Sequence, residues 1–261
     1  MTETPRVGMV EEIDVAGAGP SDADIAFVRA YVADGPLDPA IVKQFLAPEL
    51  VAAREARAAA QRVLDWPNLN YYRSANAGMV TAPDCVFIGS SITEMWMAGD
   101  PALFEGGNVS RGISGQTSAQ MLLRFMADVV ALKPRVVHVL VGVNDIAGNT
   151  GPTTLNDYCN NMMAMMLLAE AHGIRVILGT LAPHAKIPWA PAIEPQRWIA
   201  KINEWLRETA RARGHVLADY HAAFDAGGGQ MGRDLTRDGV HPTGAGYRAM
   251  RPIIEAALRA V

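Results

Sequence analysis

The sequence predicts an α/β fold in which a parallel sheet is covered by helices on both faces. Three observations predict it. Short apolar runs rich in β-branched residues alternate with amphipathic stretches of helical length from Cys85 to the C-terminus. The longest of these runs, Val136–Val143, is apolar almost throughout, as expected of a strand buried on both faces. The chain has 261 residues, half of them hydrophobic, enough for one domain with a substantial core and an extension.

Taken in order, Met1 to Pro20 are acidic, punctuated by Gly and Pro, and read as a loose tail. Ser21, with Asp24 three places on, forms an acidic variant of a capping box, and Ile25, Val28, Tyr31 and Val32 share one side of a helix that Gly35 ends. Asp38-Pro39 starts a second short helix to about Leu46. Pro48 occupies a first helical position, and the Ala- and Arg-rich run to Leu64 is a third, closed by Trp66-Pro67. Residues 1–80 are thus expected to be a tail and helical extension, and 81–261 the main domain. The extension carries no chemistry of its own; its expected roles are packing on the main domain, shaping a cleft, or forming a homo-oligomer contact. From Cys85 the expected strands are Cys85–Gly89, Asn108–Gly112, Val136–Val143, Ile174–Thr180 and Val216–Asp219. The expected helices are Ser118–Leu132, Thr154–Ala171, Pro195–Arg213 and Thr243–Ala260.

Composition narrows the function. A formal net charge of −4, a sequence pI near 5.9 and the absence of a Lys/Arg block give no reason to expect nucleic acid as a partner. Cys85 and Cys159 sit in apolar settings and form neither a disulfide framework nor a metal pattern, and no His-x-x-x-His or clustered Cys/His spacing calls for a metal or other cofactor. No window reaches the ~18 apolar residues of a membrane span. Met1–Pro20 do not read as a secretory leader, so a cytoplasmic location is expected, or a periplasmic or secreted one if a leader was removed.

In a parallel sheet the site lies at the carboxyl ends of the strands. Those ends read Gly89-Ser90-Ser91, Gly112-Ile113-Ser114-Gly115-Gln116-Thr117 and Gly142-Val143-Asn144-Asp145; past the last strand comes Asp238-Gly239-Val240-His241-Pro242. A serine hydroxyl is a poor nucleophile alone and needs a base, a carboxylate to orient that base, and donors for a developing oxyanion. Ser91 is the candidate nucleophile, with neighbouring Ser90 left open by the residues alone. Asp238 and His241, three apart on a turn, can set a carboxylate against one imidazole nitrogen and leave the other for the serine. The backbone N–H of Ser91 and of Gly115 and the amide of Asn144 suit an oxyanion hole. Met95, Trp96, Pro188 and Trp189 are apolar residues placed on loops near the cleft, where walling an acyl or sugar pocket and ordinary packing are equal readings; Met95, Trp96 and Trp189 are the candidate substrate-binding residues. His184 and His221 follow strand ends, where lining the cleft is the lesser of two readings and a structural role the greater, and Gly227-Gly228-Gly229 reads as a flexible surface loop that can edge the site.

Together these blocks resemble the SGNH (GDSL-type) hydrolase family over about Val86 to Tyr247. The resemblance implies a flavodoxin-like α/β/α sandwich of five parallel strands. It makes Ser91 the nucleophile, its amide with Gly115 and Asn144 the oxyanion hole, His241 the base and acid, and Asp238 its orienting carboxylate, with no metal or cofactor. One departure stands out: Ser90 occupies the place of the aspartate in the usual Gly-Asp-Ser block. A hydroxyl keeps part of that residue's hydrogen bonding without its charge. The activity implied is hydrolysis of carboxylic esters through an acyl-enzyme, on short-chain acyl esters, acetylated sugars or lysophospholipids. Acyl transfer to an alcohol and ligand binding without catalysis are the alternatives on the same fold.

Overall fold

A computed structural model describes residues 8–10, 19–225 and 227–261, so most of the expected tail lies outside the described residues. Its centre is one sheet of five parallel strands, β1 (Cys85–Gly89), β2 (Asn108–Gly112), β3 (Val136–Leu140), β4 (Arg175–Gly179) and β5 (Val216–Ala218), in the order β2-β1-β3-β4-β5. This is the flavodoxin-like order, in which the chain reverses direction across the sheet after β1 and β2 and opens a crevice beside the carboxyl end of β1. The register puts Gly89 opposite both Gly112 of β2 and Leu140 of β3, so three strand ends finish level with one another. Every residue of β1 and β3 is buried, as a sheet covered on both faces requires.

The covering helices are α5 (Ser91–Gly99), α6 (Ser118–Asp128), α8 (Leu155–Ala171), α9 (Gln196–Arg213) and α11 (Gly244–Ala260), with short helices α7 (Val143–Ala147) and α10 (Tyr220–Phe224). Two expected boundaries move. The apolar run Val136–Val143 is not all strand: β3 ends at Leu140, the chain turns at Gly142 with φ 144°, and Val143 opens α7. Val141 and Val143 are still buried there, so hydropathy alone did not mark the turn. The helix expected over Ser118–Leu132 leaves α geometry at Val129 (φ −126°, ψ −66°) and ends in a 3₁₀ turn, Val130–Leu132, with Lys133 left-handed.

Ahead of the sheet lie α1 (Asp22–Val32), α2 (Pro39–Phe45), α3 (Pro48–Leu64) and α4 (Arg73–Ala77). The Ser21–Asp24 capping box forms in both directions, and Asp38 caps α2 at 2.8 Å from the Ala40 N–H. Helix α1 buries Tyr31 and Val32 and packs on α5. Arg237 ties it down from the far end of the sequence, donating to the carbonyls of Tyr31 (2.7 Å), Ala33 (2.8 Å) and Gly35 (2.8 Å), the open end of the helix. Helices α2 and α3 bury no residue fully; α2 joins α1 through the Phe27–Phe45 stack, with centroids 3.9 Å apart, and α3 joins α2 through Arg54 over the Phe45 ring at 4.0 Å and α1 through the Arg54–Asp24 ion pair at 3.2 Å. Among the described residues no helix is long and apolar enough to cross a membrane.

Candidate active site

Ser91 is the first residue of α5, immediately past β1. Its backbone N–H lies in the first helical turn, where no intrahelical acceptor exists, and the helix dipole there favours a negative charge. Its Oγ stands 2.9 Å from Nε2 of His241, and Nδ1 of His241 stands 2.7 Å from Oδ2 of Asp238. A ring nitrogen facing a carboxylate carries the hydrogen, which leaves Nε2 to accept from the serine hydroxyl. The second carboxylate oxygen accepts the backbone N–H of Val240 (2.9 Å) and of His241 (2.8 Å), so Asp238 holds the backbone and the ring of the same histidine. Thr236 reinforces the turn by donating to the His241 carbonyl at 2.8 Å. Burial alone pushes the Asp238 carboxyl up, but the bond from the His241 ring, the imidazole's charge and the two N–H groups outweigh it. The group is held well below the usual carboxylate range.

Gly115 sits at φ +80°, a conformation glycine adopts without strain, on the loop after β2. Asn144 lies in α7, and its amide is oriented by neighbours: Nδ2 donates to the Gln116 carbonyl at 2.9 Å, and Oδ1 accepts from Asn149 Nδ2 at 3.0 Å. One Asn144 hydrogen is left for the cavity that Ser91, Gly115, Asn144 and His241 line together. The structure thus gathers all five expected site residues into one crevice.

A carboxylate that the sequence reading did not single out lies one helical turn past Ser90. Glu94 accepts the Ser114 N–H at 2.7 Å and bonds the Ser114 and Tyr71 hydroxyls, pinning the Gly115 loop to the helix that starts at Ser91. Burial first, then the charge of Glu94, push the Tyr71 phenol up, so it stays a donor. The spacing from Ser91 to Glu94 and Met95 is i, i+3, i+4, one face of a helix, and both lining residues were legible once α5 is started at Ser91. Asn149 had no such signal. It joins the Gly115 carbonyl (3.0 Å), Asn144 and the Trp189 indole N–H (3.1 Å), residues that only folding brings together.

Of the expected pocket walls, Met95 and Trp189 line the cavity, and the Trp189 ring lies 5.7 Å from that of His241 at an interplanar angle of 30°. Trp96 does not. It is fully buried against Phe87, Tyr220 and Tyr247, because the expected loop is a helix and consecutive residues on a helix point about 100° apart. Pro188, His184, His221 and the Gly227–Gly229 loop are likewise absent from its walls. His184 is buried with Nδ1 3.0 Å from the Gly239 carbonyl, and burial pushes its imidazole down to about 4. Among the described residues no group of three or more His, Cys, Asp or Glu could hold a metal ion.

Below the cavity, Asp145 takes the N–H of Ser118 at 3.0 and 3.1 Å and its hydroxyl at 2.5 Å, tying α7 to α6. Burial pushes this carboxyl up to about 6 in spite of those bonds. A folded value above the unfolded one means that ionisation costs stability above about pH 6 and that the cost fades as pH falls toward 4. Buried His184 has the opposite sign and loses stability as pH falls below ~6.5, so the comparison must be with a variant. Relative to Asp145→Asn, the wild type is expected to gain about 1 kcal/mol between pH 7 and pH 5. Thermal or urea melts at the two pH values measure this; parallel profiles would refute it.

A three-layer α/β fold with a hydroxyl, an imidazole and a carboxylate in series at the ends of its strands defines the acylhydrolase class. Within that class the chain belongs to the GDSL-like lipase/acylhydrolase family, the SGNH hydrolases, which it matches over residues 87–249. The crystal structure of a GDSL-like lipase from Bacteroides thetaiotaomicron VPI-5482 is similar, with TM-score 0.73, 36% identity, and coverage of 75% of this chain and 98% of that one. An acetyl-xylooligosaccharide esterase from Geobacillus shares the fold at TM-score 0.56 and 20% identity, over 69% of this chain and 95% of that one. The uncharacterized lipoprotein YqeF of Bacillus subtilis is 29% identical over 148 residues, a match spanning 48% of this chain and 61% of that protein. Members of the family are generally carboxylic ester hydrolases.

Proposed function

We propose that the protein hydrolyses carboxylic esters through an acyl-enzyme formed on Ser91. The observation that carries the reading is the unbroken series Ser91 Oγ, His241 Nε2, His241 Nδ1, Asp238 Oδ2, at 2.9 and 2.7 Å. His241 takes the serine proton as Oγ attacks the ester carbonyl, and Asp238 steadies the imidazolium that forms. The N–H groups of Ser91 and Gly115 and the free amide hydrogen of Asn144 receive the developing oxyanion. His241 then protonates the departing alcohol, and a water activated by the same nitrogen releases the acid. Glu94 and Asn149 act as positioning residues for the two oxyanion-hole loops.

The cavity has a volume of ≈ 630 Å³ and is walled on one side by the main domain, on the other by Phe27, Tyr31, Phe45, Arg54 and Gln61 of the N-terminal helices. Such a volume suits a small ester. The walls support the proposal that the N-terminal helices serve the site by shaping its outer half. The test is a panel of p-nitrophenyl esters of increasing chain length beside acetylated xylo-oligosaccharide and a lysophospholipid, with a fluorophosphonate probe and peptide mapping. Turnover of at least one ester and a single phosphonylated peptide containing Ser91 are expected. No turnover across the panel together with no label would discard the reading.

A further inference from the structure

The turn that carries Asp238 and His241 belongs to no strand or helix; an isolated bridge between Thr236 and Pro242 closes its neck. A base on such a turn is only as well placed as the contacts that hold the turn, and small misplacements of a reacting group are costly. His184 supplies one contact from outside, at the Gly239 carbonyl. The others come from α1, some two hundred residues earlier in the chain.

Arg237, next to Asp238, binds the three carbonyls at the end of α1, and Tyr31 of that helix returns the contact. The Tyr31 hydroxyl donates to the His241 carbonyl at 3.4 Å, beside the 2.8 Å bond from Thr236 to the same oxygen. Its ring stands perpendicular to the imidazole, with centroids 6.3 Å apart. Tyr31 is buried, and it lines the cavity with Ser91 and His241. Burial first, then the charge of Asp238 and a hydrogen bond to its carboxylate, push the phenol well up, so it stays a donor. Packing alone would be met by a phenylalanine. The hydroxyl is directed at the two groups that set the place of the imidazole, the His241 backbone and the Asp238 carboxylate. Tyr31 lies outside residues 87–249, over which the chain matches its family.

We propose that Tyr31 is a positioning residue of the reaction: its hydroxyl, carried by α1, fixes the Asp238–His241 turn in line with Ser91. The inference rests on the ester-hydrolase reading and deepens it. The N-terminal extension then belongs to the catalytic apparatus as well as to the wall of the cavity.

The test uses the full chain, with Tyr31→Phe made alone and together with Asp238→Asn. Phenylalanine keeps the buried ring and removes only the hydroxyl. On the p-nitrophenyl ester that the wild type turns over fastest, Tyr31→Phe is expected to lower kcat about tenfold and to change KM less than about twofold, the pattern of an interaction that counts in the transition state. Added to Asp238→Asn, it is expected to change kcat/KM less than about twofold, because the group through which it acts is already gone. Arg237→Gln loosens α1 by a second route and is expected to lower kcat severalfold at constant KM, with the loss again absent beside Asp238→Asn. Wild-type kcat in Tyr31→Phe, or in Arg237→Gln if a urea melt shows the first variant unfolded, would overturn the inference and leave the hydrolase reading standing. So would a change confined to KM, or the same fold loss with and without Asp238. A wild type that turns over no ester of the panel and leaves Ser91 unlabelled by the fluorophosphonate would remove both.

Discussion

Ser91→Ala is expected to lower kcat/KM for a short-chain p-nitrophenyl ester by about 10⁴-fold or more, equivalent to about 5.5 kcal/mol of lost transition-state stabilisation. The alanine keeps the backbone N–H and removes the one atom that can form the acyl bond. Its partner His241 keeps both anchors to Asp238, the ring bond at 2.7 Å and the backbone bond at 2.8 Å, so the rest of the site should hold its shape. The Ser91 hydroxyl bonds His241 and supports no packing, so the urea midpoint should stay close to that of the wild type. Ser90→Ala is the natural control. Ser90 is nearly buried, turned to the inner side of the strand end, and lines a separate small cavity with His184, away from Asp238 and His241. Its removal should leave most of the turnover. If Ser91→Ala retained activity within tenfold of wild type while Ser90→Ala lost it, the nucleophile would have to be reassigned and the oxyanion geometry rebuilt around residue 90.

Gly112→Ala should have the largest effect on stability, a loss of about 3 kcal/mol or more, read as a fall in the urea midpoint at constant slope. A Cβ at this position would stand 2.1 Å from the Glu94 nitrogen, 2.6 Å from the Thr93 carbonyl carbon and 2.7 Å from the Glu94 Cα. All three are backbone atoms of α5, and none can rotate aside. The helix can make room only by lifting from β2, and Ser91 and Glu94 travel with it. Activity should therefore fall together with stability. The contrast is Gly115→Ala, where a Cβ meets nothing nearer than Asn149 Nδ2 at 3.9 Å and the cost is that of the positive φ alone, about 1 kcal/mol. An unchanged urea midpoint for Gly112→Ala would mean that α5 is not seated on β2 as described.

The alternation of strands and helices was written in local periodicity, because a strand buried on both faces and a helix exposed on one leave different hydropathic patterns. Val136–Leu140, Leu155–Ala171 and Gln196–Arg213 all appear close to where those patterns put them. The errors fall where the signal stays apolar while the backbone changes. Val143 stays buried past the turn at Gly142, and Trp96 is as apolar as a pocket wall but belongs to the inner face of α5. Glu94 is an intermediate case: its helical offset from Ser91 was visible, but its partners Ser114 and Tyr71 were not.

By itself the sequence determined the α/β class, the family, and the identity of the five residues that meet in the crevice, because Ser91, Gly115 and Asn144 each follow a strand in a short local pattern and Asp238 and His241 share one turn just before the last helix. Only the tertiary structure decided what surrounds them. Asn149 against the Gly115 and Asn144 segments, the N-terminal helices over the cavity and Asn68 at its wall owe their positions to contacts between segments far apart in the chain. The loop around Asn68, whose Pro67 and Trp66 carbonyls Gln116 and Gln120 hold from some fifty residues away, leaves no periodic trace in its own residues, since the force that places it lies in someone else's side chain.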